Sequence, residues 1–209
     1  LYFDRADIID GGQGTDTAVL VNKDEVVDFN MQATSIEKLT TGSGADIITA
    51  VGKKEAVTVR AGVGNDTVTG GDGDDHLYGG QGGDLIDGKA GNDTYYWSKG
   101  DGNDTITEVI SSLTEIDRLE LTDVASAEVE LTRIQGSTDL LITITSTGEV
   151  ITVTNGIKAA STGYGLEVIQ FSDGVNWSLD DIFAKTTVNG TAANNTLTGT
   201  NESDDNLYG

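Results

Sequence analysis

The sequence of 209 residues contains no cysteine and no proline, and its single histidine is His76. The absence of cysteine excludes disulfides and thiolate metal sites, and one histidine is too few for a zinc cluster or a Ser/His/Asp triad. Basic residues are scarce, because 12 Lys and Arg stand against 35 Asp and Glu, which gives a formal net charge of -23. This balance argues against nucleic acid and anionic membranes as partners and favours cations. No apolar run approaches the roughly 18 residues that a membrane span needs.

Glycine and aspartate recur with a period of nine residues. The segments AGVGNDTVT, GGDGDDHLY, GGQGGDLID and GKAGNDTYY place Asp66, Asp75, Asp84 and Asp93 nine residues apart. In each segment glycine holds the fourth position, aspartate the sixth and an apolar residue the eighth. A flexible linker does not keep an apolar residue at a fixed period. The pattern therefore indicates a solenoid in which each unit is a turn of six residues followed by a strand of three.

Looser copies of this unit occur at 11–19, 41–49 and 99–107, and the segments EVVDFN, SIEKLT and EAVTVR between them read as short strands. We therefore expect an all-β fold that begins with a parallel β-roll. The roll is predicted to be degenerate over 1–60 and regular over 61–104.

Period-two alternation replaces the glycine period from about Asp104 onward. RLELT, AEVELTRI, DLLITIT, EVITVT and EVIQFS read as strands, with STGE and SDGV as hairpin turns. These segments predict an antiparallel β cap region over 105–186, with one short helix at 178–184, where Ser178 is the candidate N-cap. A further degenerate repeat block is expected over 187–209, which suggests that the chain is part of a longer protein.

The repeated aspartates are candidate calcium ligands. If two units form one coil, residues eighteen apart stack, and the spacings from Asp46 to Asp66 and from Asp84 to Asp104 are one coil plus two residues. Calcium takes six to eight oxygen ligands, so one ion fits between two stacked turns, and glycine lets the turn carbonyls point inward. Sites are expected between residues 46 and 66, 66 and 84, 84 and 104, and 75 and 93. The predicted ligand set is Gly42, Gly44, Asp46, Gly62, Gly64, Asp66, Gly71, Gly73, Asp75, Gly80, Gly82, Asp84, Lys89, Gly91, Asp93, Gly100, Gly102 and Asp104.

GGDGDDHLY and GGQGGDLID have the form GGxGxDxUx, and through them the chain resembles the RTX (haemolysin-type calcium-binding) repeat family. Residues 95–183, from YYWSKGDGNDTI through DLLITI to IQFSDGVNW, resemble the haemolysin-type calcium-binding related domain. The resemblance implies a module of a large secreted bacterial protein that is exported by a type I system and folds outside the cell on binding Ca²⁺. Lys89 departs from the family frame, which is expected to weaken the site beside Asp93.

Alternative interpretations remain open at this stage. No G-x-S-x-G, H-E-x-x-H or Walker lysine loop occurs, so the chain is expected not to be an enzyme. The β region could instead bind carbohydrate or a cell-surface ligand in an adhesin, with Trp177 as a candidate contact, or serve as an accessory module of a secreted polysaccharide-modifying enzyme, lipase or protease. The aromatic run 95–97 is expected to be a hydrophobic cap rather than a sugar platform. Asp16 and Asp46 could be ordinary Asx turns.

Overall fold

The computed structural model describes residues 12–20, 28–108, 114–157, 165–189 and 206–208, and within them the fold is all-β with one short α-helix. The strands are β1 (Thr17–Val19), β2 (Asp28–Asn30), β3 (Lys38–Thr40), β4 (Ile47–Thr49), β5 (Thr58–Val63), β6 (Thr67–Thr69), β7 (His76–Gln81), β8 (Leu85–Asp87), β9 (Thr94–Trp97), β10 (Thr105–Thr107), β11 (Arg118–Leu121), β12 (Val129–Ile134), β13 (Leu140–Ile144), β14 (Val150–Thr154), β15 (Val168–Phe171), β16 (Asn176–Ser178), β17 (Thr187–Asn189) and β18 (Asn206–Tyr208). The helix α1 spans Leu179–Lys185, and 3-10 turns lie at Met31–Ala33 and Ser126–Glu128.

Two sheets face each other, and up to β11 the chain crosses from one to the other after each strand. An eight-stranded sheet has the order β1-β3-β5-β7-β9-β11-β15-β16, and a ten-stranded sheet has the order β18-β17-β12-β13-β14-β10-β8-β6-β4-β2. Neighbouring strands of the coils pair in parallel, with Val68 opposite Ile86 and Leu77 opposite Tyr95. The predicted parallel β-roll is therefore confirmed, with two nine-residue units in each regular coil.

The eighth position of each unit points into the space between the sheets, because the middle residue of a three-residue strand faces the opposite way from its two neighbours. These residues are at most 3% exposed: Leu39, Ile48, Val59, Val68, Leu77, Ile86, Tyr95, Ile106 and Leu119. The core of the roll is therefore a narrow apolar column that receives one large side chain from each unit.

The same two sheets continue beyond residue 104. β14 pairs in parallel with β10, and β11 pairs in parallel with both β9 and β15. Antiparallel pairing is found in β12-β13-β14 and in β15-β16, whose turns at 145–149 and 172–175 are the predicted hairpins. The predicted antiparallel strands toward the C-terminus are therefore confirmed, whereas the β10-β14, β11-β15 and β12-β17 pairs within the same region are parallel. The physical reason is that period-two alternation reports which face is buried and carries no information on strand direction.

The helix begins where the sequence predicts. The Ser178 hydroxyl accepts a hydrogen bond from Asp181 N–H (3.3 Å), and the Asp181 carboxylate accepts one from Ser178 N–H (2.9 Å), which forms a capping box. Ile182 is buried beneath the helix. Among the described residues, no helix has the length and apolar character required to cross a membrane. Of the predicted repeat block at 187–209, residues 190–205 and 209 lie outside the described residues, and β17 and β18 pair in parallel.

Truncating the core column tests its contribution to stability. Leu119 is fully buried, and we expect Leu119→Ala to lower the free energy of unfolding by about 2–5 kcal/mol. The matched control is Ile116→Ala, because Ile116 is 49% exposed and its truncation should cost no more than about 0.5 kcal/mol. Urea unfolding in calcium-saturated buffer, followed by circular dichroism, measures both. Equal losses in the two variants would contradict the assignment of the core.

Candidate metal centre

The repeated aspartates stack at the two edges of the roll, and each is the residue directly before a strand. One edge holds Asp46, Asp66, Asp84 and Asp104, here named the Asp66 column, and strand register places one above the next as predicted. The other edge holds Asp75, Asp93 and Asp117, here named the Asp93 column. All seven carboxylates are at most 3% exposed. Parallel stacking therefore encloses two rows of like charge in the protein.

Beyond Asp46, one oxygen of each column carboxylate is fixed by a backbone N–H of the preceding coil. Asp66 N–H donates to Asp84 Oδ1 at 2.8 Å, and Asp84 N–H donates to Asp104 Oδ1 at 2.8 Å. The Asp93 column repeats the pattern, since Asp75 N–H donates to Asp93 Oδ1 and Asp93 N–H donates to Asp117 Oδ1, both at 2.8 Å. These bonds set the orientation of the carboxylates of Asp84, Asp93, Asp104 and Asp117.

The second oxygen provides the test of whether a cation fits. Oδ2 of Asp66, Asp84 and Asp93 is buried and accepts no hydrogen bond from any described residue. A buried polar atom without a partner destabilises the fold, and a buried carboxylate does so more strongly. Hard carboxylate and carbonyl oxygens are the ligands that calcium prefers. The donor set of both columns therefore fits Ca²⁺.

Burial also shifts the protonation of these groups. Desolvation raises the pKa of Asp66 to about 6 and the pKa of Asp84 and Asp104 to about 7, and neighbouring aspartates of the column add to the shift. Desolvation raises the pKa of Asp93 to about 8, with Asp75 and Asp117 adding to it. Without a cation, the folded columns therefore favour protonated carboxyl groups.

Glycine is required where successive turns approach each other most closely. Gly82 has φ of 148°, and a Cβ there would lie 1.6 Å from the carbonyl oxygen of Gly64. A Cβ on Gly88 would lie 2.2 Å from Asp93 Oδ2, so glycine at the first position leaves room for the carboxylate. Sequence reasoning did not include Gly79 and Gly88, which hold this first position.

The remaining predicted residues lie in the same turns. These are Gly42, Gly44, Gly62, Gly64, Gly71, Gly73, Gly80, Gly91, Gly100 and Gly102, and Lys89 holds a glycine position with φ of 78°. The Lys89 ammonium forms an ion pair with Asp87 at 2.6 Å. Gly100 and Gly102 donate their N–H groups to the carboxylate of Glu149 at 3.1 Å. The ligand role of the predicted set stays a prediction, which the calcium titration proposed below tests.

Three acidic residues outside the glycine frame were missed. Glu149 caps the Asp66 column through Gly100 and Gly102, while Glu167 extends the Asp93 column by accepting Asp117 N–H at 2.8 Å. Glu108 is buried beside Asp93 and Asp117. A signal was present for Glu167, because it stands directly before β15 as Asp117 stands before β11.

A lysine neutralises the acid in the degenerate part of the Asp93 edge. Glu37 accepts the N–H of Asp16 at 2.9 Å and pairs with Lys53 Nζ at 3.0 Å, and the Lys53 side chain is 7% exposed. Although burial raises it, the pKa of Glu37 lies below its ordinary value because of the Asp16 N–H and the Lys53 ammonium. In the next coil, Val57 stands where the column has an acid, and its N–H donates to Asp75 Oδ1 at 2.8 Å. At Glu37, therefore, the Lys53 side chain of the protein itself supplies the positive charge.

The aromatic residues divide between the core and the outer face. Tyr95 and Trp97 are 1% and 2% exposed, as a hydrophobic cap requires, whereas Tyr96 lies on the outer face and stacks on Tyr78 at 4.1 Å. Arg60 covers the other face of Tyr78, with its Cζ 3.6 Å from the ring centroid. His76 hydrogen-bonds Tyr96 on this outer face.

The candidate sugar contact at Trp177 is also engaged within the fold. Its ring packs edge-on against Phe171 with centroids 4.5 Å apart, and Lys185 Nζ lies 4.9 Å from the ring centroid. Trp177 is only partly exposed, which places much of the ring against the fold.

Comparison with known families agrees with this geometry. The sequence profile for the RTX calcium-binding nonapeptide repeat (4 copies) matches residues 4–18 and 60–95. The profile for the haemolysin-type calcium binding protein related domain matches residues 139–181. No curated protein matches the chain. Both resemblances inferred from the sequence are confirmed, as is Ca²⁺ as the cofactor.

Substitution of a glycine at which successive turns approach each other closely should disrupt the columns. We expect Gly82→Ala to lower the free energy of unfolding in calcium by at least about 1–3 kcal/mol, since the backbone conformation is strained and the added Cβ overlaps Gly64 O. Gly136→Ala is the matched control, because Gly136 also has positive φ but nothing lies within 4 Å of its added Cβ. Thermal unfolding compares the two, and a larger loss in Gly136→Ala would contradict the proposed packing.

The calcium-free chain should lose stability as the pH rises. The raised pKa values mean that the folded columns bind more protons than the unfolded chain, so stabilisation is fully present below about pH 4 and is lost through pH 6 to 8. Far-UV circular dichroism of the chelated chain at pH 5 and pH 8 measures this change as a fall in the folded fraction. Saturating calcium should abolish the fall, and equal folded fractions at the two pH values in chelator would contradict the burial of ionisable columns.

Proposed function

We propose that this chain, which carries RTX calcium-binding nonapeptide repeats and a haemolysin-type calcium-binding related segment, is a calcium-dependent folding module of a secreted bacterial protein. RTX repeats occur in secreted bacterial proteins. The proposal adds that the chain is largely unfolded at the low calcium of the cytoplasm and folds outside the cell after type I export.

One observation carries this proposal. In both columns one carboxylate oxygen is bound by backbone N–H, while Oδ2 of Asp66, Asp84 and Asp93 is buried and accepts no hydrogen bond from any described residue. The described part of the chain thus buries these oxygens inside its turns without supplying a donor to them. Bound calcium supplies positive charge and accepts these oxygens as ligands.

The composition explains why folding of this chain should require a bound ligand. The 28 glycines lose more backbone entropy on folding than other residues would, and the core column receives one large side chain from each unit. Like charges a strand spacing apart, about 4.8 Å, add repulsion. A ligand that binds only the folded state stabilises it by mass action, so the fraction folded should follow the calcium concentration.

We also propose that the module itself is not catalytic. The carboxylates of both columns are at most 3% exposed and are held by backbone N–H groups inside the turns. A general acid or base must reach a substrate, whereas these groups are turned toward their neighbours in the stack.

A calcium titration of the chelated chain tests the proposal. Far-UV circular dichroism and calorimetry should show a cooperative gain of β-structure with several ions bound, at affinities around the 10⁻⁴–10⁻³ M of extracellular modules. Asp84 lies between Asp66 and Asp104 in its column, so Asp84→Asn should raise the midpoint by about tenfold, equivalent to about 1.4 kcal/mol.

The matched control for this titration is Asp180→Asn, because Asp180 is exposed in the first turn of α1. Its midpoint should equal that of the unchanged chain. A fully folded chain in chelator, or an Asp84→Asn midpoint equal to that of the control, would contradict calcium-dependent folding through the columns.

A further inference from the structure

A second type of acidic site lies beside the Asp93 column, near the end of β10 and the start of β11. Asp93 and Asp117 precede the paired strands β9 and β11, so they stack directly. Glu108 follows β10 and enters from the ten-stranded sheet, in register with Gly88 of the coil before. One ligand oxygen from each of the three carboxylates lies within 4.8 Å of the others.

All three carboxylates are buried, and two of them keep an oxygen without a hydrogen-bond donor among the described residues. Asp93 and Glu108 are 1% exposed and Asp117 is 2% exposed. Asp117 Oδ1 accepts Asp93 N–H at 2.8 Å, and Glu108 Oε1 accepts the hydroxyl of Tyr95. Asp93 Oδ2 and Glu108 Oε2 are buried and accept no hydrogen bond from any described residue. The protein thus fixes one oxygen of each of these groups, and Asp93 and Glu108 each keep one oxygen without a donor in the described part of the chain.

No lysine or arginine in the described ranges forms an ion pair with these three groups. The contrast with Glu37 is informative, because that acid on the same edge has Lys53 Nζ at 3.0 Å. Three buried carboxylates this close cannot all be ionised without a compensating cation. Burial accordingly raises the pKa of Glu108 well above its ordinary range, with Asp117 adding to the shift.

We propose that Asp93, Glu108 and Asp117 form a calcium site built from side-chain carboxylates, here named the Glu108 site. Glu108 and Asp117 lie outside both matched profiles, which cover residues 60–95 and 139–181 around them. The proposal rests on the proposed function for the identity of the ion. Hard oxygen ligands without imidazole or thiolate select calcium over transition metals.

The Glu108 site should differ from the repeat sites in affinity. It gathers three carboxylates, whereas each predicted repeat site lies between two stacked aspartates. Calcium affinity rises with the number of charged ligands, so this site should fill first in a titration. Its ligands come from both sheets, and occupation would therefore fasten β11 to the last regular coil.

Calcium calorimetry on the full chain tests the site, starting from chelated protein. Glu108→Gln keeps the size of the side chain and removes its charge, and we expect one ion fewer, with loss of the tightest phase. Glu130→Gln is the matched control, because Glu130 is exposed on β12. Circular dichroism at saturating calcium should show that Glu108→Gln still folds, since the repeat columns are unchanged.

A second variant and a second probe distinguish loss of the site from misfolding of the Glu108→Gln variant. Glu108→Asp keeps the charge and shortens the side chain, so the ion count should be retained with weaker binding. Terbium, used as a calcium substitute, should give luminescence excited through Tyr95, which contacts Glu108. Glu108→Gln should abolish that early luminescence, and Asp66→Asn should leave it.

The outcomes separate this inference from the proposed function. If Asp66→Asn removes calcium binding while both Glu108 variants bind like the unchanged chain, the Glu108 site is wrong and the folding module stands. If none of the variants alters the ion count, the affinity or the terbium signal, both proposals are overturned.

Discussion

Parallel stacking places buried carboxylates directly above one another. The repulsion between them is the constraint that the rest of the structure has to meet. A parallel roll with a fixed repeat places like residues in register, so Asp66, Asp84 and Asp104 each lie over the aspartate of the coil before. Backbone N–H groups hold one oxygen of Asp84 and of Asp104 and thereby prevent these side chains from turning away. Glycines allow the turns to approach closely enough for carbonyl and carboxylate oxygens to gather. The fold is therefore built around charge that it cannot balance with its own backbone.

The two matched segments belong to one pair of sheets. β9, β11 and β15 form adjacent parallel strands, and β10 joins β14 in the other sheet, so the related segment continues the winding of the repeats. Acidic residues beyond the repeats also continue the two columns, since Glu167 accepts Asp117 N–H and Glu149 accepts Gly102 N–H. Stability in stacked arrays is shared between neighbours. A change in the charge of one column is therefore expected to be felt in the strands beyond the repeats.

The roll and its register could be predicted from the sequence because residues that stack in the regular coils are separated by a fixed number of positions. The same counting placed Asp66 over Asp84 and, across coils of twenty residues, Asp46 over Asp66. After Asp104 the sequence predicted the antiparallel hairpins but not the parallel β10-β14 and β11-β15 pairs, since alternation reports burial alone. Glu108 was missed because it lies outside the glycine frame, and only the path of the chain between the sheets brings it to Asp93. Lys53 was missed because a lysine in a glycine-poor segment carries no periodic signal.

The ion pair of Lys53 with Glu37 gives the solenoid a polarity along its axis. At that coil the compensating charge is covalently part of the chain, so its electrostatic balance is the same in any ionic medium. Farther along, from Asp66 to Asp117, the balance is set by what the surrounding solution supplies. The Asp93 edge therefore changes near Val57, where its acid is absent, from an acid balanced by a lysine of the chain to acids whose balance depends on the surrounding solution.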